Sequence, residues 1–474
     1  MGTMYPAIDT TAGEKERGTL ETVLTLPVTN QELFFSKFLT VATIGLASAL
    51  LNIISMGGIG IYMYNTVLSV SGMSGINVNQ FVPAICIALL CVFAFAVFIS
   101  AISMCVCVFA KSYKEANNYI TPLTLVVMFA SMVSIVPNVS LTSNMALVPV
   151  VNICLLIRDL LVFKYDISII MLVLISNVIY GMLSVIILGK MYNSEAILFG
   201  DGSASLQIFE KRSNMKKGGV PSIGDMVLII AITIVATIYI GGAIQLKWGY
   251  YGVLCTQFII LIIPIFAAWY TKKDIKETFR LRIPRLGYVL GGIMSVVGAL
   301  LLGMIITGIS SYIFKSSATE LGESMNAILG DSFIETLLLV AVVPAFCEEI
   351  MFRGYVLSSM DKVFKPRNAI IVSGIIFGLY HMNLVQSFTT AFLGIVIGYV
   401  AYKSGSIFPG VIMHFINNAL ACVVMYYPET VKKILPILVK ETFTTKDMII
   451  VFVTGFVILT MGILLVKTTS KNKK

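Results

Sequence analysis

Charge is scarce in this sequence. Asp, Glu, Lys and Arg make up 12% of its 474 residues, where soluble domains carry about 25%. From Phe38 to Ala110 there is no charged residue at all. Hydrophobic residues reach 58% and mean hydropathy is +0.94. A soluble single-core protein, a disordered chain and a collagen-like chain are therefore excluded. Histidine is scarcer still. The chain holds two, which rules out a histidine-rich metal cage. It has no Walker A pattern, no HExxH and no CxxC pair. Nucleotide hydrolysis by the chain itself and the common zinc motifs thus find no support. Solenoid repeats, low-complexity tracts and the apolar core of a cleavable signal peptide are also missing.

What remains is an all-α polytopic membrane protein. The charge-free runs divide into about twelve spans: roughly 38–63, 81–110, 119–137, 168–190, 222–245, 249–270, 287–314, 333–360, 368–385, 386–402, 407–427 and 448–466. The polar, uncharged stretch Asn65–Gln80 separates the first two. The apolar run 146–157 is shorter than the ~20 residues a crossing helix needs, so it reads as a re-entrant or interfacial helix. All eight cysteines lie in apolar segments and read as buried, reduced thiols.

The net charge of +9 comes from Lys and Arg in short loops, which points to membrane orientation and away from nucleic acid. Loop 271–286 holds Lys272, Lys273, Lys276, Arg280, Arg282 and Arg285; loop 361–367 holds Lys362, Lys365 and Arg367. These fall on one side together with the tail (Lys467, Lys471, Lys473, Lys474), Lys111, Lys114 and the 211–217 cluster. That side is expected to be cytoplasmic. Opposite loops are uncharged or carry acids such as Glu320, Glu323 and Asp331. The longest charged interruption, 191–221 with Gly200-Asp201-Gly202, marks a domain boundary: 1–200, a polar linker 201–221, and 222–474.

Ionisable groups inside a span are costly and usually functional. The deep ones are few. Span 333–360 carries Glu348, Glu349 and Arg353; span 368–385 carries His381; span 407–427 carries His414 beside Asn417 and Asn418. Counted from the basic loops at 1.5 Å per residue, all sit about 12–21 Å deep. Glu349 and Arg353 are spaced i,i+4, which predicts a salt bridge. Glu348 points about 100° away and is left for chemistry. His414 and Asn418 also share a face. Gly374 and Gly378 precede His381 and allow close helix approach. Pro344 is expected to bend its span and open room for water.

A carboxylate, two imidazoles and a carboxamide at one depth suit hydrolysis. Glutamate and histidine can take a proton from water, and histidine and asparagine can donate to an oxyanion. No cofactor is required by this reading. Zinc on Glu348, His381 and His414 is the rival, and a purely structural polar network is the bland alternative.

The residues carry a family resemblance. Glu348-Glu349-Ile350-Met351-Phe352-Arg353 matches EExxxR, Phe377–His381 matches FxxxH, and His414–Asn418 matches HxxxN. In that order they resemble the CPBP family of intramembrane proteases, the CAAX prenyl endopeptidases and bacteriocin-processing relatives. The resemblance spans roughly 222–474 and implies a glutamate-type peptidase. In it Glu348 and His381 activate water, His414 and Asn418 form the oxyanion hole, and Glu349 and Arg353 give support. The family was long classed as metalloproteases.

The first 200 residues resemble something else. Tyr5-Pro6-Ala7-Ile8-Asp9, Gly13-Glu14-Lys15-Glu16-Arg17-Gly18 and Leu26-Pro27-Val28-Thr29, continuing to Lys37, are similar to the amphipathic elbow of ABC exporter permeases of the sodium-efflux type. This implies an elbow over 1–37, about four spans, and a separate ABC ATPase subunit near the elbow. The combined expectation is an intramembrane peptidase acting on a membrane-associated peptide, fused to a permease module in a bacterial cytoplasmic membrane. The alternative is a transport subunit for sodium or a small solute, whose C-terminal half acts as scaffold or regulator.

Overall fold

A computed structural model of the chain describes residues 2–71, 81–135, 139–192, 206–327, 330, 332–440 and 443–471. Among these every regular element is helical. That follows from the solvent: with no water in the bilayer core, backbone N–H and C=O groups must pair within their own segment. The segment around Gly200-Asp201-Gly202 and the acidic Asp331 lie outside the described residues. The chain divides into two compact units, Met1–Phe209 and Glu210–Lys474. The division falls inside the polar stretch 191–221.

The first unit opens with short helical pieces over residues 4–24, turned at Gly18 with φ +68°. Five helices follow: α1 (Asn30–Ser71), α2 (Val82–Val108), α3 (Tyr113–Met132), α4 (Val151–Leu161) and α5 (Ile167–Tyr192). The opening segment is tied down by charge. Glu14 pairs with Lys37 of α1, and Lys15 donates to the Val108 carbonyl at the end of α2. Glu16 accepts from the Tyr113 amide at 2.6 Å, where α3 begins. α1 passes this segment at Gly45, where a Cβ would stand 2.3 Å from Thr3. α4 has 11 residues, about 16 Å of helix, too short to cross.

The second unit contains α6 (Ile223–Gln245), α7 (Gly252–Tyr270), α8 (Leu286–Ile313) and the surface helix α9 (Lys315–Ala327). Then come a long irregular helix α10 over 333–361, α11 (Pro366–Tyr380), α12 (Leu384–Ser404), α13 (Phe408–Tyr426) and α14 (Thr445–Lys471). Tyr288, Val296, Val400, Ile397 and Met413 form a shared core of α8, α12 and α13, joined by Leu459 and Val466 of α14. Salt bridges Arg280–Asp361 (3.0 Å) and Lys362–Glu277 (3.3 Å) bring two of the basic loops together at one end of this unit.

Nine of the described helices are long and apolar enough to cross a membrane. The other three expected spans are also helical. α3 has 20 residues but starts with Lys114 and Glu115, α10 is composite, and α11 is 15 residues long. Two boundaries need correction. The break expected at Asn65 does not occur there, because α1 continues to Ser71. Its Asn, Thr and Ser residues cost a helix only tenths of a kcal/mol each. The span 368–385 ends earlier, at Tyr380. Met382 takes a left-handed φ of +51°, and Asn383 caps α12 by accepting from the Gln386 amide at 3.0 Å. A helix start read from hydropathy alone misses such a cap. All eight cysteines are unpaired.

Candidate active site

The polar groups of the second unit converge on α10. Its backbone is irregular for a reason visible in the sequence. Pro344 has no N–H and cannot donate to the Val340 carbonyl four residues earlier. The helix widens to π geometry over Leu337–Val342, and again over Ile350–Val356 just after the glutamate pair. Wide turns of this kind cluster at functional sites. Asn418 of α13 supplies the donor the proline lacks, with Nδ2 2.9 Å from Val340 O. Its Oδ1 accepts from Asn417 at 2.8 Å. Of the four hydrogen bonds a carboxamide can make, one Nδ2 proton is therefore already committed to the α10 backbone and one remains.

The two glutamates separate as their spacing requires. Glu349 meets Arg353 at 2.7 Å, with both side chains essentially inaccessible (0% and 1% exposed). Arg353 in turn lies over the Phe377 ring at 4.3 Å and donates to the Gly394 carbonyl at 3.3 Å. It thus ties α10 to α11 and α12. Those two helices can approach because Gly374 and Gly378 face them. A Cβ on either would stand 2.5 Å from α12 atoms. Glu348 turns toward α7 instead. Its Oε1 accepts from Gln257 Nε2 at 2.9 Å, and its Oε2 has no hydrogen-bond partner among the described residues.

The histidines approach from two further helices. His414 Nδ1 lies 3.2 Å from Glu349 Oε1. A carboxylate only accepts, so the proton sits on Nδ1. Nε2 then faces Glu348 Oε2 at 3.9 Å, beyond a direct hydrogen bond. His381 occupies the C-terminal cap of α11, and its Nδ1 is 2.9 Å from the Phe377 carbonyl. A carbonyl likewise only accepts, which leaves Nε2 of the neutral ring with a lone pair. Phe377 stands edge-on to both imidazoles, with ring centroids at 5.0 and 5.7 Å. The six residues singled out from the sequence are thus gathered around one buried cluster.

Two members were not legible as site residues. Gln257 is a 7% exposed amide inside α7. A search for charges passes over it, although an uncharged polar residue in mid-span was the available signal. Gly410 is the other. A Cβ there would lie 2.5 Å from Glu349 Oε2, so its missing side chain makes room for the carboxylate. Among the described residues no three His, Cys, Asp or Glu side chains converge closely enough to hold a metal ion.

Residues 331–420, which contain all six positions, match the family model described as Type II CAAX prenyl endopeptidase Rce1-like. Residues 4–198 match that of the ABC-2 family transporter proteins. The chain thus resembles ABC-2 family transporter proteins over one stretch and Rce1-like endopeptidases over another. A relative of the chain is the ABC transporter permease protein NatB of Bacillus subtilis (strain 168). It is 26% identical over 167 residues, 35% of this chain and 42% of that protein. The chain thus spans less than half the length of this curated relative. The matched residues 331–420 carry the cluster on α10, α11 and α13, and Gln257 reaches it from α7, outside them.

Proposed function

We propose that the Rce1-like unit is a glutamate-type intramembrane peptidase that hydrolyses a membrane-associated peptide or protein. One observation carries this reading: the carboxylate pair is divided in its duties. Glu349 has Oε1 engaged by both Arg353 and His414 and Oε2 packed against Gly410, whereas Glu348 has one oxygen fixed by the neutral amide of Gln257 and the other without a hydrogen-bond partner among the described residues, facing His414 Nε2 at 3.9 Å. A buried acceptor of that kind suits a general base.

The roles follow from the atoms. Glu348 Oε2 and His381 Nε2 take the proton of a water whose oxygen adds to the scissile carbonyl carbon. The proton then passes to the leaving amine as the C–N bond breaks. The remaining amide proton of Asn418 donates to the oxyanion. His414, held by Glu349 through Nδ1, joins it there. No cofactor enters this scheme. The zinc version would place the metal on Glu348, His381 and His414, and full activity in chelator removes it.

The wider assignment has residues 1–200 as a permease module with its elbow over 1–37, 201–221 as linker and 222–474 as the peptidase module. The host is a bacterial cytoplasmic membrane with the C-terminus inside, and the partners are the bilayer and a separate ABC ATPase. The NatB match supports a second reading, a transport subunit whose Rce1-like half scaffolds or regulates. The deciding experiment compares the membrane proteome of cells making the wild type with cells making Glu348→Ala or His381→Ala. A membrane peptide that accumulates uncut in both variants is expected. Identical processing in all three strains, with every protein inserted, sinks the peptidase reading. Co-purification of an ATPase, and loss of ion efflux on deletion, would favour transport.

A further inference from the structure

The structure assigns Gln257 as a positioning residue of the cluster: its amide nitrogen orients Glu348 and fixes which carboxylate oxygen stays open. This deepens the peptidase reading and rests on it.

The orientation of the amide is settled by chemistry. Glu348 Oε1 lies 2.9 Å from the amide, and a carboxylate can only accept, so Nε2 faces it and Oε1 faces away. That outward oxygen has no hydrogen-bond partner among the described residues, and neither has Glu348 Oε2. Both side chains are nine-tenths buried, at 7% exposure each. Two orphaned acceptors at the outer ends of one amide–carboxylate pair are costly unless a donor reaches them. The amide of Gln257 thus decides which oxygen of Glu348 is tied up and which is left for the proton of the attacking water.

The amide is suited to this task. An acid in its place would repel Glu348, and a hydroxyl of Ser or Thr would bond to its own helix backbone, as Thr256 does to the Val253 carbonyl at 2.7 Å. Gln257 comes from a helix that carries none of the three sequence motifs. The base is therefore oriented from outside its own helix pair, and a shift of α7 would disarm it.

The test uses the full chain in lipid vesicles and the membrane peptide that accumulates uncut in Glu348→Ala cells. Gln257→Leu is expected to lower kcat about 100-fold, the scale of a small misplacement of a catalytic group. KM should stay within about twofold, because ground-state binding is untouched. Gln257→Met, unbranched and without an N–H, should behave alike and guards against a folding failure of the first variant. Phe258→Leu, on the exposed side of the same helix, should keep wild-type rates. Wild-type kcat in correctly inserted Gln257→Leu and Gln257→Met, with Glu348→Ala inactive, overturns the assignment and leaves the peptidase reading standing. A raised KM with unchanged kcat also overturns it, since Gln257 would then be a substrate contact. If Glu348→Ala cells accumulate no uncut peptide, the peptidase reading fails and the assignment falls with it.

Discussion

His414 Nδ1 stands 3.2 Å from Glu349 Oε1, while Glu349 is also 2.7 Å from Arg353. One carboxylate therefore serves two cationic or donor groups from different helices, and all three side chains are buried. The consequence is that Glu349 fixes both the ring orientation and the tautomer of His414, whose Nε2 faces Glu348 Oε2 at 3.9 Å.

Glu349→Gln keeps the shape but removes the charge. It leaves a buried guanidinium without its counter-ion, a loss of about 3–5 kcal/mol for such pairs. Thermal unfolding in detergent is expected to show a marked drop in Tm, and peptide cleavage should fall with it. Unfolding at the wild-type temperature would mean that the ion pair is dispensable.

Gly410→Ala places a methyl 2.5 Å from Glu349 Oε2. The carboxylate must move, and His414 with it, so cleavage should fall about 100-fold. Gly398→Ala is the matched control. Its added Cβ would meet Ile370 at an ordinary 3.6 Å, and turnover should be unaffected. Equal activity in the two variants would show that the site tolerates the displacement.

Asn418 and Pro344 are coupled through the Val340 carbonyl. Asn418→Leu removes the 2.9 Å donor and should cost about 1–3 kcal/mol as an unsatisfied buried acceptor. Pro344→Ala restores a backbone N–H four residues along the helix. In the double variant much of the stability loss should therefore disappear. A double-mutant cycle on chemical denaturation measures this, and strict additivity would remove the proposed link.

Lys15, in the opening segment ahead of α1, responds to pH. Burial, against the favourable charge of Glu115, pushes its amine down to about 8 from the usual 10.5. The unfolded chain thus holds more protons than the folded one between those values, and stability must rise as pH increases from about 8 toward 10. Lys15→Met should flatten that part of the curve. Thermal unfolding from pH 7 to 10 in wild type and variant gives the comparison, and an unchanged slope in Lys15→Met counts against it.

Much of the site was legible because ionisable residues are so rare in this chain. With no charge from Phe38 to Ala110 and two histidines overall, Glu348, Glu349, Arg353, His381 and His414 stood out by depth alone. Helical spacing was enough to pair Glu349 with Arg353, since both lie on one helix and i,i+4 neighbours meet whatever surrounds them. Gln257 and Gly410 escaped for the opposite reason. Their significance lies in contacts across helices, with 91 residues separating Gln257 from Glu348. His381 was placed inside a span because hydropathy runs through residues 368–385, whereas the chain reverses at 381–383 through a left-handed Met382 and the Asn383 cap.

By itself the sequence determined an all-helical membrane chain, because apolar runs in lipid must satisfy their backbone internally. It also determined which few ionisable groups lie deep, because burying a charge is too costly to occur without purpose. Only the tertiary structure decided how those groups divide their work. It placed His414 on Glu349, Gln257 on Glu348, and Asn418 on the carbonyl that Pro344 cannot reach. Hydrogen bonds form over about 3 Å, and no one-dimensional pattern specifies distances of that order between residues on separate helices.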